Sequence, residues 1–293
     1  MAYNKQDTDT VSKYSKSSCS TKDATGDENI KFIRHFDGQY SLIDQPTTRQ
    51  HKAYYFLFIH TLICLSIEMS LRLGQEFPNY QVKTTVGDQK IHQWLGDQWG
   101  ILFSHPADYT PVCTTELARA AKLAPEFAKR NTKLIGLSCD TVELHREWIE
   151  DIHAYADITD QCSKQFPFPI IDDSDRAIAT KLGMIDPVET DNEGIPLTAR
   201  SVFYIGPDKK VKALLLYPAT SGRNFDEILR LLDSLQLSQK YPIATPVDWK
   251  PGDDVMVPTN VSDETIKEKL PNPVKVKQDL PSGKGYIRTT TLK

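Results

Sequence analysis

Short apolar runs alternate with longer amphipathic segments over the second and third quarters of the chain. This alternation predicts an α/β domain, in which helices cover the faces of a central sheet. The last two runs are separated by Gly206-Pro207-Asp208, which favours a hairpin and therefore an antiparallel pair in a mixed sheet. The predicted strands are residues 100–105, 133–139, 168–171, 201–205 and 211–217, and the predicted helices are residues 111–130, 142–155, 177–182 and 225–239.

The two ends of the chain differ in composition from this central part. Residues 1–52 are polar, and we expect residues 1–27 to be disordered because they contain few apolar side chains. Prolines recur after residue 241, which indicates an extended C-terminal arm or a small second domain. We divide the chain into an atypical extension at 1–70, the α/β domain at 71–240 and the arm at 241–293.

Residues 53–67 form an apolar run whose role is open. The run is shorter than the roughly 20 residues that a membrane-spanning helix needs. It could be a short membrane anchor, a hydrophobic element packed on the domain, or no native element at all, with Met69 as the true start. Further on, residues 80–96 alternate weakly around Gly87 and predict a hairpin.

Charge, cysteine content and histidine spacing argue against several classes of function. Lys and Arg number 35 against 39 Asp and Glu, so the net charge of −4 argues against a nucleic-acid-binding surface. The five cysteines are an odd number at irregular spacings without a C-x-x-C pair, so we expect neither a disulfide framework nor a zinc knuckle. A reducing compartment fits this usage. His145 and His153 lie on a predicted helix without a third ligand at a usual spacing, so they do not indicate a metal.

The chemistry-bearing stretch lies between the first predicted strand and the helix that follows it. Thr110 is a favourable N-cap residue, and Pro111 suits the first helical position. Cys113 is then the third helical residue, where first-turn N–H groups and the helix dipole favour a negative charge. A cysteine placed in this way is expected to react as a thiolate.

The same stretch resembles a known family. Pro106, Thr110 and Cys113 fit P-x-x-x-T-x-x-C, the peroxidatic motif of peroxiredoxins. The segments W-G-I-L-F-S-H-P, P-F-P-I-I-D-D, Y-P-A-T-S-G-R-N-F-D-E-I-L-R and A-T-P-V-D-W-K-P-G-D are similar to the 1-Cys, peroxiredoxin-6-like subfamily. The resemblance covers residue 71 to the C-terminus. It implies a thioredoxin-like fold with a mixed central sheet flanked by helices and a C-terminal extension that contributes to dimerisation.

The resemblance also implies a role for each matching residue. Cys113 would be the peroxidatic nucleophile, and Thr110 would hydrogen-bond the sulfur and the peroxide. Pro106 would shield the pocket from water. Arg200 would stabilise the thiolate and polarise the peroxide, and His105 would lie near the sulfur.

The implied activity is the reduction of hydrogen peroxide and of organic or phospholipid hydroperoxides by a single cysteine that becomes a sulfenic acid. The resemblance implies no bound cofactor or metal. It implies glutathione or another thiol as the external reductant, with glutathione S-transferase as a possible partner. We expect a cytoplasmic homodimer that binds no nucleic acid, and contact with a membrane surface stays open.

The remaining cysteines are weighed separately. Cys139 ends a predicted buried strand and is expected to be inert. Two-cysteine relatives carry a resolving cysteine in the C-terminal region, but no cysteine follows Cys162 here. Cys162 itself is an unusual alternative as a local resolving residue. Cys19 and Cys64 lie in the polar extension and in the apolar run.

Two other functions stay open at this point. One is a redox-controlled chaperone or interaction role, and the other is a serine-dependent phospholipase or acyltransferase. The phospholipase of some relatives uses the serine of G-D-S-W-G, but this chain has Gln98 at that place. His92 and Asp208 match the proposed partners of that serine. Because an amide cannot act as the nucleophile, we expect no phospholipase activity.

Overall fold

The structure is a computed structural model. It describes residues 71–158 and 165–292, together with the backbone of three short strands near the N-terminus. The chain divides into two compact units, Met1–Glu68 and Met69–Lys293.

The first unit contains a three-stranded antiparallel sheet. Its strands are β1 (Ser18–Lys22), β2 (Glu28–Arg34) and β3 (Tyr40–Leu42), in the order β1-β2-β3. We expected disorder throughout residues 1–27, but the structure forms strand β1 within this segment. The backbone of β1 pairs with that of β2, with Ser18 opposite Ile33. Composition does not reveal this pairing. The apolar run at 53–67 lies outside the described residues.

The second unit is built on a seven-stranded mixed sheet in the order β12-β11-β6-β7-β8-β4-β5. Neighbouring strands β6, β7 and β8 are parallel, whereas β4, β11 and β12 join antiparallel to their neighbours. The α/β expectation with a mixed sheet is therefore confirmed. The seven strands are β4 (Gln81–Thr84), β5 (Gln89–Lys90), β6 (Trp99–Ser104), β7 (Thr132–Ser138), β8 (Ile170–Asp172), β11 (Arg200–Ile205) and β12 (Val211–Tyr217).

Helices cover both faces of this sheet. On one face lie α2 (Pro111–Lys129), α3 (Val142–Tyr155) and α5 (Phe225–Lys240), which share a buried core with Phe103 and Tyr204. On the other face lie α1 (Ile91–Leu95) and α4 (Ala177–Lys181), which pack with Leu102 and Phe203. Successive residues of one strand thus serve opposite cores, as the strand period of two requires.

The predicted hairpin around Gly87 is confirmed by the antiparallel pair of β4 and β5. Its predicted end is wrong, because the alternation expected over 80–96 continues only to Lys90, where α1 begins and buries Ile91 and Leu95 one turn apart. That i, i+4 spacing is the helical signal, which the weak alternation concealed. The antiparallel pair β9 (Ile185–Thr190) and β10 (Pro196–Thr198) was not predicted, since most of its side chains are exposed and carry no apolar alternation.

The C-terminal arm has its own small core. Strands β13 (Val255–Met256), β14 (Lys275–Val276) and β15 (Arg288–Thr290) form a sheet in the order β13-β15-β14. Helix α6 (Asp263–Lys269) lies between β13 and β14 in the sequence. The buried residues of this core are Ile243, Trp249, Val255, Val257 and Leu270, and Leu237 of α5 packs against them. No helix in the described residues has the length and apolar content to cross a bilayer.

Candidate active site

Cys113 lies fully buried in the first turn of α2. Thr110 has the extended backbone of an N-cap residue (φ −110°, ψ 146°), and Pro111 occupies the first helical position, as predicted. The first regular helical bond runs from the N–H of Thr114 to the carbonyl of Thr110 at 3.0 Å. The N–H groups of Val112 and Cys113 precede that bond, so the positive end of the helix dipole lies at the sulfur.

Arg200 contacts the sulfur from β11. Its Nη1 lies 3.4 Å from Cys113 Sγ and donates to Oε2 of Glu116 at 2.8 Å. Its Nε and Nη2 donate to the carbonyl of Ala219 at 2.9 and 2.7 Å. The guanidinium is therefore held in one orientation, with its donors fixed beside the sulfur.

Glu116 joins Arg200 to a second buried arginine, Arg223. The carboxylate of Glu116 accepts from the backbone N, Nε and Nη2 of Arg223 at 2.6, 3.0 and 2.7 Å. Burial alone would raise the pKa of Glu116, but Arg223 and, to a lesser degree, Arg200 hold that pKa below its usual range. Two positive charges thus share one carboxylate, which leaves one positive charge beside the Sγ of Cys113.

The sequence reasoning assigned no role to Glu116 or Arg223. Glu116 lies three residues after Cys113, so helical periodicity places both on one face of α2. Arg223 follows strand β12 and lies 107 residues after Glu116 in the sequence. The i, i+3 spacing was a usable signal for Glu116, whereas the pairing with Arg223 depends on the tertiary fold.

Thr110 and Pro106 lie in the loop that precedes α2. The hydroxyl of Thr110 donates to the carbonyl of Ala107 at 2.9 Å, and among the described residues it makes no hydrogen bond to Cys113. Its oxygen retains lone pairs that can accept a further bond. Pro106 is buried two residues after the end of β6. The roles expected for both residues in the peroxide pocket stay predictions.

His105 is fully buried at the end of β6, where it belongs to a cluster that the sequence did not reveal. Its Nε2 lies 2.8 Å from Oδ1 of Asp108, and the Oδ2 of Asp108 lies 2.6 Å from Nδ1 of His145. These three residues place possible metal-ligand atoms within 4.8 Å of one another. Hydrogen bonds already account for the contacts between them. The grouping was missed because His145 approaches from α3, 37 residues away from Asp108.

The other described cysteine has different surroundings. Burial, partly offset by Arg176 and reinforced by Asp173, Asp140 and Asp175, raises the pKa of Cys139 to about 12. Its thiolate is therefore scarce near neutral pH, in line with the expected inertness. Cys64 and Cys162 lie outside the described residues, and only the backbone of Cys19 is described, within β1.

The residues matched to a phospholipase each have another partner. Gln98 donates from Nε2 to Oδ1 of Asn131 at 2.7 Å. His92 Nε2 lies 2.5 Å from the carbonyl of Phe77. Asp208 Oδ2 forms an ion pair with Lys212 at 2.6 Å. In the described part of the chain, no hydrogen bond links Gln98, His92 and Asp208 with one another.

Comparison with known proteins agrees with this geometry. Residues 73–214 match the AhpC/TSA family, and residues 234–271 match the C-terminal domain of 1-Cys peroxiredoxin. Peroxiredoxin-6 of Rattus norvegicus is 60% identical and that of Homo sapiens 59% identical over 220 residues, which cover 75% of this chain and 97% of each relative. The chain belongs to the 1-Cys peroxiredoxins. As a member of this family it is a thiol peroxidase.

Solved structures confirm the thioredoxin-like fold of this peroxiredoxin. A cysteine-to-serine mutant of peroxiredoxin 6 of Arenicola marina is 52% identical, with a TM-score of 0.72 and coverage of 76% of this chain and 99% of that chain. The yeast mitochondrial 1-Cys peroxiredoxin is 45% identical, with a TM-score of 0.66 and coverage of 75% and 99%. That yeast structure concerns thiol resolution through the glutathione and thioredoxin systems.

Proposed function

We propose that this peroxiredoxin reduces hydrogen peroxide and organic or phospholipid hydroperoxides through Sγ of Cys113. The observation that carries the assignment is the 3.4 Å contact between Arg200 Nη1 and that sulfur at the start of α2. The buried cluster of Arg200, Arg223 and Glu116 bears one net positive charge, which the thiolate of Cys113 would neutralise. Since an unpaired buried charge is costly, this charge balance favours the reactive form of the cysteine.

The proposed reaction is a two-electron transfer at sulfur. The thiolate attacks the terminal oxygen of the peroxide, so an S–O bond forms while the O–O bond breaks. The electron pair of the broken bond leaves with the second oxygen, which takes a proton and departs as water or an alcohol. Arg200 is placed to stabilise the charge that moves onto the oxygens, as donors fixed in advance do elsewhere. Pro106 would exclude water, and the hydroxyl oxygen of Thr110 would accept a hydrogen bond from the peroxide.

A second thiol must return the sulfenic acid of Cys113 to the thiol. Cys139 is the other described cysteine, and the raised pKa of about 12 makes it a poor attacking thiol near neutral pH. We propose glutathione, delivered with glutathione S-transferase, as the reductant, in keeping with the glutathione-linked yeast relative. The proposed reaction uses no bound cofactor or metal.

The proposed cellular setting is a cytoplasmic homodimer that can contact a membrane surface. The edge strand β12 carries the exposed apolar side chains Leu214 and Leu216, which supports association of two copies. A reaction that needs Cys113 as a thiol is compatible with a reducing compartment. Fractionation of cells and sedimentation of the purified protein test this setting.

Substitution of the nucleophile tests the proposed reaction. Cys113→Ser should abolish turnover of hydrogen peroxide with glutathione, whereas the matched variant Cys139→Ser should retain it. Retention of full peroxidase activity in Cys113→Ser would contradict the assignment. A chaperone activity, if present, would survive the same substitution.

A further inference from the structure

One residue of the loop that precedes α2 has a strained backbone. Tyr109 adopts the left-handed conformation with φ 53°, which is uncommon for any residue other than glycine and unusual for a bulky one. Such strain is costly and persists only where the surrounding structure enforces it. The ring of Tyr109 lies 6.3 Å from that of Trp148, but the residue is 51% exposed, so packing of the side chain offsets the cost only in part. The residues on either side therefore hold this backbone in place.

On the C-terminal side, the backbone of Thr110 is fixed by the start of the helix. A residue before proline is restricted to an extended conformation, and Thr110 has φ −110° and ψ 146° directly before Pro111. The carbonyl of Thr110 accepts hydrogen bonds from the N–H and the hydroxyl of Thr114 at 3.0 and 2.8 Å. Because Thr110 is locked in this way, the change of direction between the loop and α2 falls on Tyr109.

On the N-terminal side, the backbone of Asp108 is held by Asp140, the second residue after β7. Oδ2 of Asp140 accepts a hydrogen bond from the backbone N–H of Asp108 at 2.9 Å. The same oxygen accepts from the hydroxyl of Ser138 at 2.8 Å, and Ser138 is fully buried at the end of β7. The side chain of Asp108 is bound separately by His105 and His145. One carboxylate oxygen thus ties the backbone of the loop to a central strand of the sheet.

The strained residue lies close to the reacting sulfur along the chain. Only the N-cap residue and the first two helical residues separate Tyr109 from Cys113. If Tyr109 relaxed to an extended conformation, the first turn of α2 would shift relative to β11, from which Arg200 contacts the sulfur at 3.4 Å. A displacement of about 1 Å is enough to slow a reaction that depends on a fixed geometry.

We propose that Asp140 is a positioning residue for the peroxidase reaction, because its carboxylate keeps Tyr109 in the left-handed conformation that sets the first turn of α2 against Arg200. This inference rests on the proposed function of Cys113. In the described residues Asp140 makes no hydrogen bond or ion pair with Cys113 or Arg200, so its effect passes through the backbone of Asp108 and Tyr109.

The first part of the test removes the acceptor oxygen in the full chain. Asp140→Ala should slow the first oxidation of Cys113 by hydrogen peroxide about tenfold, which corresponds to the strain of one left-handed residue. Asp140→Asn keeps an oxygen that can accept from the N–H of Asp108, so its rate should stay close to that of the unmodified protein. The control is Asp253→Ala, which should leave the rate unchanged. The carboxylate of Asp253 likewise accepts a backbone N–H at 2.9 Å, from Lys250 in the arm.

The second part of the test changes the strained residue itself. Asparagine tolerates the left-handed conformation, whereas a β-branched residue such as valine is strongly disfavoured there. Tyr109→Asn introduced into Asp140→Ala should therefore restore most of the lost rate. Tyr109→Val should slow oxidation even when Asp140 is present. A residue that acted only through its charge or through overall stability would not be rescued by asparagine at position 109.

The possible outcomes separate this inference from the proposed function. An unchanged rate in Asp140→Ala, an equal loss in Asp140→Asn, or a loss that Tyr109→Asn does not restore would each overturn the positioning role of Asp140. If Asp140→Ala does not fold, the single substitutions at position 109 decide, and equal rates in Tyr109→Asn and Tyr109→Val would overturn the inference. Failure of the proposed function would instead appear as peroxidase activity retained in Cys113→Ser.

Discussion

Nη1 of Arg200 donates to the carboxylate of Glu116 at 2.8 Å while it lies 3.4 Å from the sulfur of Cys113. One guanidinium nitrogen therefore connects the structural ion pair with the reacting atom. Glu116 orients the charge of Arg200 and neutralises only part of the positive charge in the cluster. The activity and the stability of this peroxiredoxin should consequently respond to substitutions at different members of the same cluster.

The first prediction concerns Arg200→Ala. Loss of one fixed donor to the transition state should slow oxidation of Cys113 by peroxide about 10²-fold. Rapid-mixing kinetics with hydrogen peroxide measure this rate. Arg119→Ala serves as the control, because Arg119 pairs with Asp226 at the exposed surface of α2. An unchanged rate in Arg200→Ala would exclude the proposed role of Arg200.

The second prediction concerns Glu116→Gln. Removal of the carboxylate leaves Arg200 and Arg223 buried without their counter-charge, and breaking a buried pair costs about 3–5 kcal/mol of unfolding free energy. Unfolding in urea measures the loss. Glu126→Gln, on the same helix, removes only the solvent-exposed ion pairs with Lys129 and Arg130, so its loss of unfolding free energy should be much smaller. Equal losses in the two variants would contradict the importance of the buried cluster.

The carboxylate of the second prediction also makes the free energy of unfolding depend on pH. The pKa of Glu116 is lower in the folded chain than its ordinary value of 4.5. The folded state therefore binds this proton less readily than the unfolded state, so the stabilisation is complete above that ordinary value and is lost as the pH falls through the lowered folded value. Urea unfolding between neutral and acid pH should show this loss in the unmodified protein and a shallower slope in Glu116→Gln.

Much of the fold could be predicted from the sequence, because buried strands and amphipathic helices leave strong periodic signals. Helix α3 has the predicted bounds, and β6 and β7 differ from the prediction by one residue at each end. Helix α1 was missed since five residues carry little periodicity, and the weak alternation before it favoured a strand. In the arm, two- and three-residue strands are held by tertiary pairing, which composition does not express.

The candidate site could be predicted only where its residues are close in sequence. The start of α2 placed Cys113 correctly because capping and proline preferences act over a few residues. The contact of Arg200 with Glu116 spans 84 positions, and that of Asp108 with His145 spans 37. Because such pairs depend on strand order and helix packing, the sequence predicted Arg200 only through the family resemblance. It did not predict Glu116 as the partner of Arg200, nor the pairing of Asp108 with His145.

The third prediction is selective alkylation. Near neutral pH, bromobimane should label Cys113 faster than Cys139, because the raised pKa of Cys139, about 12, leaves almost no thiolate there. Peptide mapping by mass spectrometry measures both rates against pH. Cys139→Ser should label as the unmodified protein does. Faster labelling of Cys139 or Cys162 would mean that the reactive cysteine has been misassigned.

The fourth prediction is the absence of calcium-independent phospholipase activity. Gln98 bonds Asn131, and its amide cannot form an acyl-enzyme. The purified protein should release no fatty acid from phosphatidylcholine, while peroxide turnover should be equal in the unmodified chain and in Gln98→Ser. Robust lipid hydrolysis by the unmodified chain would show that another residue is the nucleophile.

The position of the first oxygen that the protein takes up from peroxide tests the assignment of Cys113 as the nucleophile. The reduced full-length protein is treated with one equivalent of hydrogen peroxide in the presence of dimedone, which traps sulfenic acid, and its peptides are mapped by mass spectrometry. The dimedone adduct is expected on Cys113 alone, and sulfinic acid is expected at the same residue when excess peroxide is used without the trap. An adduct on another cysteine, or a disulfide between Cys113 and Cys162 in place of the sulfenic acid, would contradict a mechanism with a single reacting cysteine.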